Sequence, residues 1–196
     1  PTTDHTTGTS SGKYLYVEAS GNCTDAVSTL LSPCIELAAG GKPELVFWYN
    51  MRGADMGSLH LDVYDGSSWS IDVMAPLIGN QSNNWVEKII DLSAFTGKTI
   101  NVRFRAITGN GYRSDFAIDD IGIRQPPIAN FTAQVQGNGN SVSLLDLSSY
   151  ADNMVFDLGD GTILGAVPAS HTYNQVTVYS ITQEVYNAAG ADTMTL

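Results

Sequence analysis

Basic residues are scarce in this chain. Its 196 residues include 9 Lys and Arg against 20 Asp and Glu, a formal net charge of −11. Nucleic acids and anionic lipid surfaces are bound through clustered Lys and Arg. We therefore expect neither of them as a partner. The acidity fits the solubility of a secreted protein or, as a sharper alternative, a supply of oxygen ligands for calcium.

Long apolar runs are also missing. A membrane helix needs ~20 consecutive apolar residues, and no stretch approaches that length, which predicts no membrane insertion. No basic segment followed by an apolar core marks a signal peptide. The abrupt start at Pro1 and the end at Leu196 predict a fragment of a longer secreted protein, located outside the cell or on its surface.

Catalytic motifs are absent as well. The sequence holds no HExxH, no GxSxG and no phosphate-binding glycine loop. Its three histidines, His5, His60 and His171, are isolated from one another in sequence. Because no set of residues indicates a catalysed reaction, we expect a binding module and not an enzyme.

Two cysteines occur, Cys23 and Cys34. Their close spacing around one predicted strand favours a local disulfide, which would stabilise the fold by roughly 2–3 kcal/mol in the chain-entropy model. A disulfide would indicate an oxidising compartment. Two free buried thiols are the alternative. Zinc is disfavoured because it takes four ligands and no histidine cluster lies nearby.

Alternating apolar and polar residues predict a series of strands in the first two thirds of the chain. The predicted strands cover residues 13–20, 27–32, 44–51, 58–64, 69–73, 85–92, 99–107 and 114–123. The run at 44–51 is nearly all apolar, which predicts burial on both faces. Strands at this spacing without helical periodicity indicate an all-β sandwich.

The last of these strands carries two adjacent acids, Asp119 and Asp120. Neighbouring side chains on a strand point to opposite faces, so we expect one acid to face inward. A buried carboxylate without a partner costs several kcal/mol. Because cations are scarce, a bound metal ion or a dense set of hydrogen bonds is predicted to neutralise it.

A break in the strand pattern at Arg-Gln-Pro-Pro, residues 124–127, predicts a linker, because paired prolines make a stiff extended connection. Shorter strands follow at 130–135, 141–145, 154–157, 176–186 and 192–196. The linker therefore separates a larger domain, residues 1–123, from a small second sandwich, residues 128–196.

Several ordered motifs in residues 4–123 resemble a MAM domain: DHTTG, GKYLYVEAS, LVFWYNMRG and FAIDDIGI. The resemblance implies a jelly-roll sandwich used in extracellular adhesion and assembly, with a cation site in some members. In a jelly roll the first and last strands lie close together, so Asp4 is predicted to join Asp119 and Asp120 around calcium, with sodium as the alternative ion. The competing interpretation is that these acids cap backbone N–H groups or pair with Arg103 or Arg105.

Residues 128–196 resemble a PKD (polycystic kidney disease) repeat through VSLLDLSS, FDLGDG, HTY and VYNAAGADT. The resemblance implies an Ig-like sandwich that serves as a spacer or a polymer binder. Asp157 and Asp160 lie in a Gly-Asp-Gly turn, where Asp side chains bond nearby backbone, and His171 is predicted to be structural. Similar tandems occur in large secreted bacterial proteases and polysaccharide-degrading enzymes.

The function predicted from these observations is a non-catalytic adhesion or substrate-targeting module that meets an extracellular polymer or protein surface. One alternative is a carbohydrate- or protein-polymer-binding module of a secreted hydrolase, with Trp69 and Tyr112 exposed as ligand-binding aromatics and with Trp48 and Trp85 in the core. Another is a rigid stalk. The family usually has a strand before the DHT motif, and its lack here predicts self-association or strand completion by another segment.

Overall fold

The computed structural model describes residues 1–21, 23–137, 139–167 and 170–196. In these residues the predicted all-β sandwich fold class is confirmed. The chain divides into two compact units, residues 1–40 with 44–123 and residues 41–43 with 124–196. The predicted linker, 124–127, thus belongs to the second unit.

Among the described residues of the first unit, ten strands form two sheets. One sheet has the order β1-β10-β4-β8 and the other the order β2-β9-β5-β6, with β3 beside β9 and β7 beside β5. The strands are β1 (Leu15–Val17), β2 (Val27–Leu31), β3 (Ile35–Glu36), β4 (Glu44–Met51), β5 (Ser58–Tyr64), β6 (Trp69–Ser70), β7 (Leu77–Ile78), β8 (Ser82–Asp91), β9 (Thr99–Ile107) and β10 (Phe116–Arg124).

Alternation along the strands builds the core of this unit. In β9, Ile100, Val102 and Phe104 are buried, and in β5 the buried Val63 and Leu61 lie opposite Val102 and Phe104. Because side chains alternate on a pleated strand, the residues between them face outward. The three strands predicted at 44–51, 58–64 and 99–107 have the predicted bounds.

Burial in β4 differs from the prediction. Leu45 and Phe47 enter the core, whereas Val46 and Trp48 are only half-buried. Two-sided burial was therefore wrong for the first six residues of the strand. Trp48 lies on the outer face, which a different part of the chain covers.

Several boundaries also differ. The strand predicted over 69–73 ends at Ser70, and Asp72 takes a left-handed backbone conformation with φ of 53°. Residues 76–84, which lie between the strands predicted at 69–73 and 85–92, contain β7 and the start of β8. Short edge strands of this kind have little periodicity to reveal them.

The second unit also consists of two small sheets, in the orders β11-β12-β15 and β14-β13-β16-β17. Its strands are β11 (Phe131–Gln136), β12 (Ser141–Asp146), β13 (Asn153–Asp157), β14 (Ile163–Leu164), β15 (Ser170–Thr172), β16 (Thr182–Asn187) and β17 (Gly190–Thr195). Phe131 and Phe156 meet edge to face in its core, with ring centroids 5.2 Å apart. The strand predicted over 176–186 begins only at Thr182, because Val176 and Val178 are exposed in the preceding loop.

The predicted disulfide is wrong in this structure, since Cys23 and Cys34 are both exposed free thiols. The Cys23 carbonyl accepts a hydrogen bond from Thr108, while the Cys34 thiol lies 3.8 Å from the Asn101 side-chain nitrogen. Seven residues along an extended strand separate these two neighbours, a span of roughly 20 Å. A disulfide requires Cα atoms within about 7 Å, so the strand keeps the two cysteines apart.

Candidate functional site

The N-terminal loop, residues 4–9, is closed around the carboxylate of Asp4. Asp4 is 3% exposed. Its oxygens accept hydrogen bonds from the Thr7 hydroxyl at 2.7 Å, the Thr7 N–H at 3.0 Å and the Thr9 N–H at 3.2 Å. A Cβ on Gly12 would overlap the Asp4 carboxyl carbon, so only glycine fits there without a shift. The turn thereby neutralises its buried acid with donors of its own.

Asp119 and Asp120 both contact this loop, which contradicts the expectation that they face opposite sides. Asp119 accepts the backbone N–H of His5 at 2.8 Å, and Asp120 lies 2.6 Å from the His5 ring. Thr6 donates its hydroxyl to Asp120. The reason is that Asp120 has a φ of 46°, a left-handed conformation that interrupts the pleat. Neither acid is buried, so the acid held inside the site is Asp4.

His5 fixes the loop to the outer face of the β1-β10-β4-β8 sheet. Its ring stacks on Trp48 with centroids 3.6 Å apart, and Trp85 lies 6.4 Å away at an edge-on angle. Trp85 donates its indole N–H to the Thr3 carbonyl at 3.1 Å. Core positions for Trp48 and Trp85 were therefore wrong, because both are half-buried on the outer face of this sheet. The sequence signal that could have indicated this contact was the DHTTG motif, which contains His5.

Hydrogen bonding stabilises the charged form of two acids in this site. The Thr7 hydroxyl is the largest influence on Asp4 and lowers its pKa, and the Thr6 hydroxyl followed by the His5 ring lowers the pKa of Asp120. Calcium takes six to eight oxygen ligands, but these carboxylate oxygens already accept N–H and O–H donors. Among the described residues, no group of three His, Cys, Asp or Glu is arranged to hold a metal ion. A cation at this site would therefore have to take the place of these donors.

A second polar cluster lies on the outer face of the β2-β9-β5-β6 sheet around Asp62, which is fully buried. Its Oδ2 accepts Arg103 Nε at 2.9 Å and Arg105 Nε at 2.6 Å, and its Oδ1 accepts Arg105 Nη2 at 3.0 Å. The backbone N–H of Asp72 completes the set at 3.0 Å. Burial raises the pKa of Asp62, but the hydrogen bonds outweigh it, led by Arg105, and lower the pKa to about 2.

Sequence reasoning missed this cluster, although its signal was present. The outward residues of β5 include Asp62, and those of β9 include Arg103 and Arg105. The ladder pairs Asp62 with Arg103 and His60 with Arg105. Without knowledge of this strand register, the sequence allowed Arg103 and Arg105 to be paired equally well with Asp119 or Asp120.

Trp69 covers this cluster. The guanidinium of Arg103 lies 4.0 Å from the centroid of the Trp69 ring, and Tyr64 lies beside the indole at 5.3 Å. Trp69 remains 36% exposed. Tyr112, the other aromatic proposed from sequence for ligand binding, is 67% exposed with Arg113 at 5.5 Å from its ring. The structure places the two aromatics on different elements, one on β6 and one in the loop before β10.

The same face carries a Ser–His–Asp relay. Ser58 Oγ lies 2.8 Å from His60 Nε2, and His60 Nδ1 lies 2.8 Å from Asp72 Oδ1. Arg105 donates to that same Asp72 oxygen at 2.8 Å. Because the guanidinium already neutralises this carboxylate, it has less charge to offer a protonated imidazole. The Ser58–His60–Asp72 contacts hold the segment after β6 against the sheet.

One flank of the first unit is open between its two sheets. A cleft of about 410 Å³ is lined by residues of β1, β2 and the core, including Leu15, Leu30 and Phe104. A second, of about 360 Å³, continues past Leu30 towards Ile121 and Ile123. Within the described part of the chain, β1 pairs with residues 116–118 of β10, and β2 lies at the end of its own sheet.

The acidic turn of the second unit has structural partners. Asp157 accepts the Gly159 N–H at 2.9 Å, and Asp160 accepts the Thr162 N–H at 3.0 Å. His171 Nε2 lies 2.8 Å from Asp160, and this contact, the largest influence, lowers the Asp160 pKa to about 2. These bonds are the turn geometry expected of both acids and give His171 a structural partner.

The two sheets packed over one core, with the first loop held on the last strand, define the first unit as a jelly-roll sandwich module. The MAM domain family (MAM domain, meprin/A5/mu) matches residues 1–127. The chain belongs to the MAM family.

Two relatives illustrate the match. MAM domain-containing protein 2 of Homo sapiens is 32% identical over 149 residues, covering 75% of this chain and 21% of that protein. Neuropilin-1a of Danio rerio is 29% identical over 165 residues, covering 78% and 17%. The chain therefore spans about a fifth of the length of these relatives.

Among solved structures, the PKD1 domain from the Vibrio cholerae metalloprotease PrtV is 28% identical. The match covers 36% of this chain and 90% of that one, with a TM-score of 0.32.

Across the described residues, no helix is both long and apolar enough to cross a membrane.

Proposed function

We propose that the chain is a non-catalytic extracellular adhesion or substrate-targeting module, an accessory part of a larger secreted protein. The observation that carries the proposal is the match of residues 1–127 to the MAM family, whose members are extracellular or cell-surface proteins. The partner is an extracellular polymer or protein surface. The net charge of −11 favours a partner that is neutral or basic.

The second unit acts in this proposal as a PKD-like spacer or polymer binder. The support comes from its own residues. Phe156 and Leu158 are fully buried, and Gly159 and Gly161 take positive φ in the FDLGDG turn. The Tyr173 hydroxyl donates to the Leu158 carbonyl at 3.0 Å, so the HTY segment is fixed to that turn. A rigid stalk would use the same features without binding anything.

A carbohydrate- or protein-polymer-binding module of a secreted hydrolase is the second candidate. The observation that favours it is Trp69, which is held by Arg103 and still partly exposed. Flat aromatic rings supply large contact area at low entropic cost.

A calcium or sodium ion at Asp4, Asp119 and Asp120 stays a proposal. Carboxylate oxygens are the right ligand chemistry, but an ion would have to displace donors such as Thr7 and His5. Calorimetric titration with calcium, and melting with and without a chelator, test it. If neither binding heat nor a shift of the melting temperature is measured, the acids are neutralised by hydrogen bonds alone.

The main proposal is tested by retention of the full chain on a panel of insoluble polysaccharides and extracellular-matrix proteins such as collagen. We expect retention on at least one surface, reduced by salt only where the partner is basic. A chain that passes every surface unretained would favour the rigid stalk.

A further inference from the structure

We infer that the outward face of Trp69 is a stacking site for a neutral pyranose ring, which deepens the proposed polymer-targeting function and rests on it. The site consists of Trp69, Arg103, Tyr64 and the buried Asp62 beneath them. Its ligand is a neutral polysaccharide, bound through the apolar C–H face of one sugar ring.

The geometry leaves one face of the indole open. Arg103 extends from β9 and is bonded to Asp62, which is fully buried in the sheet face. Its guanidinium lies 4.0 Å from the Trp69 centroid. The order from the sheet outward is therefore carboxylate, guanidinium, indole. The guanidinium covers one face of the ring, and Trp69 nevertheless remains 36% exposed.

The ring is also held in place before any ligand arrives. Arg103 is fixed by two contacts to Asp62, at 2.9 and 2.8 Å, and Arg105 fixes the same carboxylate from the other side. Tyr64 packs against the indole at 5.3 Å, and its hydroxyl donates to the Gly66 carbonyl at 3.0 Å. A side chain that is already ordered loses little rotamer freedom on binding, which raises affinity.

Charge decides the class of sugar. Three basic residues on this face, Lys98, Arg103 and Arg105, pair with three acids, Asp65, Asp62 and Asp72. The charges of these six residues therefore cancel, whereas the whole protein has a formal net charge of −11. A polyanion would be repelled by the chain and would find no unpaired cation among these three. A neutral polysaccharide is not repelled in this way.

The test is affinity gel electrophoresis of the full chain through gels that contain hydroxyethylcellulose, galactomannan or dextran, with alginate as the anionic comparison. We expect at least one neutral polysaccharide to retard the chain and alginate to leave its mobility unchanged. Trp69→Ala should weaken that retardation about tenfold or more, equivalent to about 1.4 kcal/mol. Trp69→Tyr should retain most of it, because a flat ring remains.

Tyr16→Ala is the matched control, since it removes a more exposed aromatic, 62% exposed, from another strand and should bind as the unmodified chain does. Arg103→Lys keeps the charge opposite Asp62 but loses the planar contact, so it should weaken binding less than Trp69→Ala and reduce the near-ultraviolet dichroism of the indole. An unfolding curve for each variant confirms that it is folded. No retardation by any of the three neutral polysaccharides, or equal retardation of the unmodified chain and Trp69→Ala, overturns the inference. Retention on collagen alone would overturn it too, while leaving the targeting function intact.

Discussion

His5 stacks on Trp48 with ring centroids 3.6 Å apart and 14° between the ring planes, and the same imidazole lies 2.6 Å from Asp120. One side chain therefore joins the N-terminal loop to two strands of the sheet, β4 and β10. We predict that His5→Ala releases the loop and lowers the free energy of unfolding by about 1–2 kcal/mol, from the lost ring contact and the lost hydrogen bond to Asp120. Hydrogen exchange should show loss of protection at residues 4–9.

The matched control is His171→Ala, whose histidine contacts Asp160 in the second unit. It should leave exchange at residues 4–9 unchanged. Unaltered protection in His5→Ala would mean that Asp4 and its donors hold the loop without the stacked ring.

Asp62→Asn should destabilise the first unit by about 3–5 kcal/mol, because it removes the carboxylate that neutralises two arginines and leaves their charges without a buried partner. Chemical denaturation followed by circular dichroism measures the change. Asp65→Asn is the comparison: its partner Lys98 is 44% exposed, and exposed pairs contribute about 0–1 kcal/mol. Equal effects of the two substitutions would contradict the importance of burial.

We predict that acid lowers the free energy of unfolding over a defined pH range. The pKa of Asp62 falls to about 2 in the folded state, below the ordinary value of about 3.9. A lowered carboxyl pKa stabilises the fold above the unfolded pKa, and that stabilisation is lost as pH falls through the folded one. We expect roughly 2–3 kcal/mol to disappear between about pH 4 and pH 2. The loss should be shallower in Asp62→Asn when denaturation is repeated across this range.

The Ser58–His60–Asp72 relay should not catalyse. Arg105 already neutralises Asp72, so the histidine lacks the free carboxylate that activates a serine nucleophile. We expect hydrolysis of a nitrophenyl ester by the full chain to equal that by Ser58→Ala, at the rate of free imidazole at the same concentration. Turnover that disappears in Ser58→Ala would identify the chain as an esterase.

The open flank beside β2 predicts concentration-dependent self-association or completion by another segment. Leu31 is 57% exposed on this edge strand, and Leu31→Lys should suppress association by placing a charge there. Ile78→Lys is the control, because Ile78 is 70% exposed and does not line either cleft. Sedimentation velocity over a wide concentration range distinguishes them, and a monomer throughout would leave strand completion as the remaining outcome.

The sequence predicted the architecture well where side-chain alternation is regular. The bounds of β5 and β9 follow from their alternating apolar residues, and those of β4 follow from its nearly continuous apolar run. The site was harder to predict. Asp119 and Asp120 were assigned to opposite faces because alternation was assumed, whereas the left-handed backbone at Asp120 turns both to one loop.

Contacts between distant segments account for the remaining differences. Burial of Asp62 depends on a ladder between β5 and β9, about forty positions apart in sequence. The partial burial of Trp48 and Trp85 on the outer face depends on residues 3–5 folding back over them. Neither can be read from a local window, because local periodicity reports only which residues share a face.

Cys23 and Cys34 lie beside opposite ends of β9 as exposed thiols. Since neither reaches the other, an oxidant would link separate molecules instead of closing a ring within one. Covalent dimers and longer polymers would then accumulate during purification in air, and their number would scale with protein concentration. Samples intended for measurements of weak association therefore need a reducing agent or cysteine-to-serine substitution, or chemical cross-links will be mistaken for adhesion.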